Sequence, residues 1–148
     1  MGKDLQAAVA VKNVETEVWE FDFPETKPED GLLKVELCGM CGSDWPYYNN
    51  YPDKKGPLIL GHEGVGYIDR AGASALRRWG MKEGDRVALE EYLPCGHCSY
   101  CRTGEFRLCL ETDTLNKPDT VRLGSTPVSR SPSLWGAYSQ YQYLPENA

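Results

Sequence analysis

Leu33, Val35 and Leu37 alternate with Lys34 and Glu36, and this period of two over LLKVELC predicts a half-buried strand. Shorter apolar runs at Ala7–Val11, Val65–Ile68 and Val87–Leu89, each bounded by turn formers, predict further strands. Glycine or proline at Pro24, Pro28, Gly31, Gly56, Pro57, Gly61, Gly72, Gly80 and Gly84 cuts the chain into short segments, a spacing typical of an all-β barrel or sandwich. Helix is expected only as a minor element: over Ala73–Trp79, where Ala75 and Trp79 share a face, and as a short turn after Asp44. From Glu111 to Ser133 the chain turns to Thr, Ser, Pro, Asp and Arg and reads as an irregular loop or insertion. A last strand is predicted over Ala137–Leu144, with Tyr141 and Tyr143 on one face and Gln140 and Gln142 on the other, so that at least one face packs. There is no internal repeat and no low-complexity tract.

Composition narrows this to one soluble domain of 148 residues with a net charge of −6, long enough to bury a core. No apolar run approaches the length needed to cross a bilayer, and MGKDLQAAVAV is too short for a secretory signal, so a cytoplasmic protein with no membrane partner is expected. Lys and Arg form no stripe longer than a pair, which argues against nucleic acid as a partner.

Four of the six cysteines, Cys95, Cys98, Cys101 and Cys109, form C-x2-C-x2-C-x7-C, which is what a short loop needs to wrap a tetrahedral ion in thiolates. Pro94, Gly96 and Gly104 allow the tight turns, and four thiolates leave no open position, so a structural zinc in a lobe over about residues 91–113 is expected. A disulfide framework fits poorly with a chain lacking a secretory signal, and an iron–sulfur cluster fits poorly with a final gap of seven residues. A thioredoxin-like C-x-x-C does not explain four cysteines. His97, inside the cluster, reads as a spacer or a group behind the ligands.

A second constellation lies upstream: Cys41-Gly42-Ser43-Asp44 and Gly61-His62-Glu63 supply a thiolate, an imidazole and two carboxylates. Cys plus His plus one further ligand would make an open zinc site able to polarise an alcohol, with Ser43 relaying the proton and Asp44 and Glu63 orienting the histidine. Either motif alone is compatible with a core cysteine and a satisfied polar histidine.

CGMCGSD, GHEGVGYIDRAG, GDRV and the cysteine quartet, in this order, resemble the zinc-dependent medium-chain alcohol dehydrogenases over about Ala7 to Pro145, with WGAYSQYQYLPENA resembling the strand that closes their N-terminal domain. The resemblance implies a mainly β, GroES-like partly open barrel with a zinc lobe spanning residues 1–148, part of an enzyme that oxidises alcohols or reduces carbonyls with NAD(P). It implies Cys41 and His62 as catalytic-zinc ligands, Ser43 as the hydroxyl that takes the substrate proton, Glu63 as a carboxylate near the metal, and Cys95, Cys98, Cys101 and Cys109 as the structural quartet. Cys38 has no counterpart role and reads as core.

Three departures modify these expectations. No strand followed by G-x-G-x-x-G occurs, so a Rossmann partner domain is expected to lie outside these residues and the chain by itself to lack turnover. Gly61, Gly64 and Gly66 read as turn and close-packing glycines rather than a phosphate cradle. The family's third catalytic ligand normally follows this stretch, leaving Glu63 or water to complete the site, or the site empty or weakly held. Pro46 stands where many relatives carry a histidine that extends the proton relay. The aromatic run Trp45, Tyr47, Tyr48 and Tyr51 is a candidate pocket wall for a sizeable apolar substrate, or else a cap on the core or a face for the partner domain. An alternative of another class is a standalone zinc-stabilised barrel that serves in binding or assembly without catalysis.

Overall fold

The alternating segments form two antiparallel sheets in a computed structural model that describes residues 5–50, 56–113, 117 and 119–148. The strands are β1 (Leu5–Lys12), β2 (Glu15–Phe21), β3 (Gly31–Gly39), β4 (Leu58–Ile59), β5 (Glu63–Ala71), β6 (Arg86–Ala88) and β7 (Tyr141–Leu144), with short helices α1 (Asp44–Asn49), α2 (Ala73–Trp79) and α3 (Ser99–Arg102) and a 3-10 turn at Phe106–Leu108. One sheet has the order β2-β1-β4 and the other β6-β5-β3-β7. Leu5, Ala7 and Val9 of β1 project to one side and meet Leu32 of β3, Ile59, Leu123 and Leu134 in the main core. Each fully buried leucine there contributes about 2 kcal/mol of transfer free energy.

The segment after Gly136 ties the sheets together. The Tyr138 carbonyl accepts from Ala8 N–H, Ser139 bridges to Ala7, and Tyr141–Leu144 then pair with Gly31–Lys34 of β3. The predicted last strand is therefore shorter than expected: regular pairing begins at Tyr141, because residues 137–140 divide their backbone bonds among β1, the Leu60–Gly61 turn and Val35 of β3. Both of its faces pack, since Gln142 is fully buried along with Tyr143.

The alternation in β3 holds only from Leu33 to Glu36. Leu32 and Leu33 are both fully buried, whereas Leu37, expected to share the inner face with Leu33, is 64% exposed where the strand runs out towards the loop at Met40. Helix α2 lies where predicted; Ala75 is buried, and Gly80 ends the helix at φ 65°, a left-handed cap that an L side chain resists. The stretch 111–133 carries no strand or helix among its described residues, yet it is more than a surface loop, because Leu123, Ser125 and Thr126 are buried.

Candidate metal centres

The four cysteines of the lobe come together around Pro94–Leu110. Their sulfurs all lie within 4.8 Å of one another, and Cys95 Sγ is 3.9 Å from Cys101 Sγ. A tetrahedron of thiolates at the usual zinc–sulfur distance of about 2.3 Å has edges of about 3.8 Å, so the quartet fits that ion closely. Backbone N–H groups already point at the sulfurs: Cys95 donates to Cys109 Sγ (3.3 Å), Cys98 to Cys95 Sγ (3.4 Å) and Cys101 to Cys98 Sγ (3.5 Å). Such donors favour the anionic form. The Cys101 backbone N–H, followed by that of Leu110, lowers Cys98 below the ordinary thiol value. Burial pushes Cys109 up, but hydrogen bonds from Thr112 and from the backbone of Cys95 and Glu111 outweigh it and bring the thiol down to about 6. Burial pushes the Cys101 thiol up to about 12. Gly96 at φ 77° and Gly104 at φ 84° make the turns that let one short loop present four sulfurs. His97 is exposed and donates from Nδ1 to the Cys95 carbonyl (2.8 Å), so it braces the backbone of a ligand.

The second constellation is assembled by strand pairing. Gly39 at the end of β3 lies opposite Glu63 at the start of β5, which sets the loop Met40–Ser43 beside His62. Donor atoms of Cys41, His62 and Glu63 fall within 4.8 Å of one another. His62 is 9% exposed; its Nε2 is 3.3 Å from Ser43 Oγ and its Nδ1 is 3.5 Å from Asp44 Oδ1. Asp44 is 5% exposed and also accepts from Cys41 N–H (2.9 Å) and the Tyr138 hydroxyl (3.0 Å) at Oδ2. A histidine held through one nitrogen by a carboxylate offers the other to a metal in a fixed orientation, and a thiolate, an imidazole and a carboxylate with a vacant fourth direction are the donor set of an open zinc site. The residues present thus fit zinc at both places.

Every site residue named from the sequence falls in one of these two clusters, with Asp44 behind His62 and Glu63 among the candidate ligands. Tyr138 was not singled out; it lies 94 positions from Asp44, and no local spacing signals the contact. Burial, followed by the bond to Asp44, pushes the Tyr138 phenol well above its ordinary value. Cys38 is half-buried, and burial raises its thiol. Gly61 turns at φ 88° against the Tyr138 ring and the Cys38 sulfur, while Gly64 and Gly66 pack against Gln142 and the Lys34 backbone, so these glycines serve turning and close packing.

Two cavities adjoin Cys41. One of about 330 Å³ is lined by Cys41, His62, Glu63, Leu89, Glu90 and Glu91, and Glu91 pairs with Arg122. Another, of about 270 Å³, has walls from Met40, Trp45, Tyr48, Leu60 and Tyr138. Of the aromatic run, Trp45 and Tyr48 thus line a pocket, Tyr47 packs against the small core of Ala10, Leu58 and Leu60, and Tyr51 lies outside the described residues.

Two antiparallel sheets bearing a four-cysteine lobe beside a Cys-His-Glu cluster define the class, a GroES-like domain of the kind that forms the N-terminal part of medium-chain dehydrogenases. The chain belongs to the alcohol dehydrogenase GroES-like domain family, whose model matches residues 27–148. It is 39% identical over 127 residues to a probable alcohol dehydrogenase of Mycobacterium tuberculosis, covering 86% of this chain and 33% of that protein. It is 35% identical over 144 residues to sorbitol dehydrogenase of Bacillus subtilis, covering 94% of this chain and 36% of that protein. Among solved structures, alcohol dehydrogenase TADH from Thermus sp. ATN1 superimposes with a TM-score of 0.74 at 29% identity, over 95% of this chain and 37% of that one. The chain spans about a third of the length of these curated relatives. No helix among the described residues is long and apolar enough to cross a membrane.

Proposed function

We propose that these residues are the catalytic domain of a cytoplasmic, zinc-dependent, NAD(P)-linked dehydrogenase that interconverts small alcohols and their carbonyl compounds. The relatives named for alcohol and sorbitol oxidation support this reading, and the observation that carries it is the convergence of Cys41, His62 and Glu63 within 4.8 Å with Ser43 beside His62. Cys41, His62 and Glu63 would hold the reactive zinc, and Cys95, Cys98, Cys101 and Cys109 a closed structural one. Bound in the open site, zinc supplies Lewis acidity that lowers the pKa of an alcohol. Ser43 Oγ accepts the proton that the alcohol gives up, and with Pro46 in place of an imidazole it passes that proton to water or to a cofactor hydroxyl. Asp44 keeps His62 oriented from behind, at Nδ1. Hydride acceptance belongs to NAD(P) on a dinucleotide-binding domain supplied by sequence outside these residues, so the 148 residues alone do not turn over.

The test is NAD+- and NADP+-coupled oxidation of a primary alcohol, a secondary alcohol and a polyol by the polypeptide that carries these residues together with a dinucleotide-binding domain. Turnover with at least one substrate, abolished by Cys41→Ser while the lobe keeps its zinc, is the expected result. Absence of turnover with every substrate and both cofactors would overturn the reading and favour a binding or assembly module.

A further inference from the structure

Tyr138 stands where the two halves of the Cys41/His62/Glu63 cluster meet, and it touches both. Its hydroxyl donates to Asp44 Oδ2 at 3.0 Å, with the Gly39 carbonyl a second acceptor at 3.5 Å. Its ring lies against Gly61, where a Cβ would stand 2.7 Å from the ring. Its backbone N–H donates to the Leu60 carbonyl (3.0 Å) and its carbonyl accepts from Ala8 N–H (2.8 Å), so its backbone is tied to β1 and to the Leu60–Gly61 turn.

Asp44 has three partners and almost no exposure to water. Cys41 N–H and the Tyr138 hydroxyl share Oδ2, while Oδ1 faces His62 Nδ1 at 3.5 Å. Two donors on one carboxylate oxygen fix the plane of the group, and with it the oxygen that faces the histidine. The Cys41 bond comes from the loop that carries a ligand, and the Tyr138 bond comes from the segment paired with β1.

We propose that Tyr138 is a positioning residue for the metal centre: its hydroxyl locks the Asp44 carboxylate, which in turn aims His62, so that Tyr138 sets zinc affinity at Cys41/His62/Glu63 without touching the metal. This rests on the reading of that cluster as a zinc site. Groups behind a ligating histidine are worth about 10–100-fold in metal affinity, and a group one bond further back is expected at the lower end of that range.

The test uses the whole chain with its four-cysteine lobe already loaded, and titrates zinc against a chromophoric chelator. Tyr138→Phe keeps the ring on Gly61 and removes only the hydroxyl. Affinity at the second site is expected to fall about 10-fold, with lobe zinc and circular dichroism unchanged. Asp44→Ala is expected to fall further, and adding Tyr138→Phe to it should cost nothing more, because the hydroxyl acts only through the carboxylate. Unchanged affinity in Tyr138→Phe, or equal losses in both backgrounds, would overturn the proposal, as would a Tyr138→Phe chain that no longer folds. Should Asp44→Ala not fold, the affinity of Tyr138→Phe decides. A wild-type chain that takes up no second zinc would instead refute the zinc reading itself, so the two failures are distinguishable.

Discussion

Replacing Cys98 by Ser removes one thiolate from the lobe, and the structure indicates how far the damage should spread. Besides the thiolates, the lobe is held by the Tyr92–Phe106 edge contact, by Arg107 and Arg122 over the Tyr92 ring, by the Glu91–Arg122 pair and by Asn147 on the Leu93 carbonyl. Tyr100, Leu108 and Leu110 are exposed, the only helix is four residues long, and Leu93 and Cys109 are its buried anchors. Tying Cys95 to Cys109 through a metal closes a ring of about 15 residues, and a cross-link of that size contributes about 3 kcal/mol by restricting the open state. The closed lobe should therefore open about 100-fold more often once the metal is lost. Leu5, Val9, Leu32 and Ile59 of the main core lie on the strands, and the lobe joins that core through Leu93, so most of the loss should stay in the lobe. Amide hydrogen exchange reads both quantities: exchange at Cys95, Cys101 and Cys109 should speed up by about two orders of magnitude, while amides of β3 and β5 keep their protection. Unchanged exchange together with unchanged metal content would refute the assignment of the lobe, and equal loss of protection in β3 and β5 would refute its independence.

Tyr143 donates to the buried carboxylate of Asp30, and burial, followed by that bond, pushes its phenol above the ordinary value. A raised folded-state value means that this contribution is fully present below about pH 10 and is lost as pH rises through the folded value. Urea unfolding should thus show stability falling on the alkaline side, and Tyr143→Phe should cost about 2 kcal/mol at neutral pH and flatten that fall. Gly66→Ala puts a methyl group into the Lys34 carbonyl across the β3–β5 pair, and denaturant unfolding should register a loss of about 3 kcal/mol. In the polypeptide that carries both domains, Ser43→Ala should lower kcat by about 100-fold or more with zinc content unchanged; normal turnover would remove Ser43 from the proton path.

The sequence revealed those elements whose pattern is local. The alternation in LLKVELC located β3, the spacing Ala75–Trp79 located α2, and the cysteine spacing located the lobe. β2 escaped because it lies on an edge and alternates only over Trp19, Glu20 and Phe21, too short a run to read. β4 escaped because it is two residues long, and both are buried. The inward reading of Leu37 failed because pairing continues past the point where the other sheet covers β3. At the site, residue types and order identified the candidate donors, and Glu63 was legible as a possible third one. The clasp of Tyr138 on Asp44 was not legible, since it depends on the chain crossing from β1 to β3 at residues 137–144.

The most direct measurement is zinc per chain by elemental analysis, on the wild type and on Cys41→Ser and Cys98→Ser. Two ions in the wild type, one of them lost in each variant, is the result expected of a closed lobe and an open Cys41/His62/Glu63 centre. A single ion that survives Cys41→Ser and disappears with Cys98→Ser would contradict the second centre and with it the proposed chemistry.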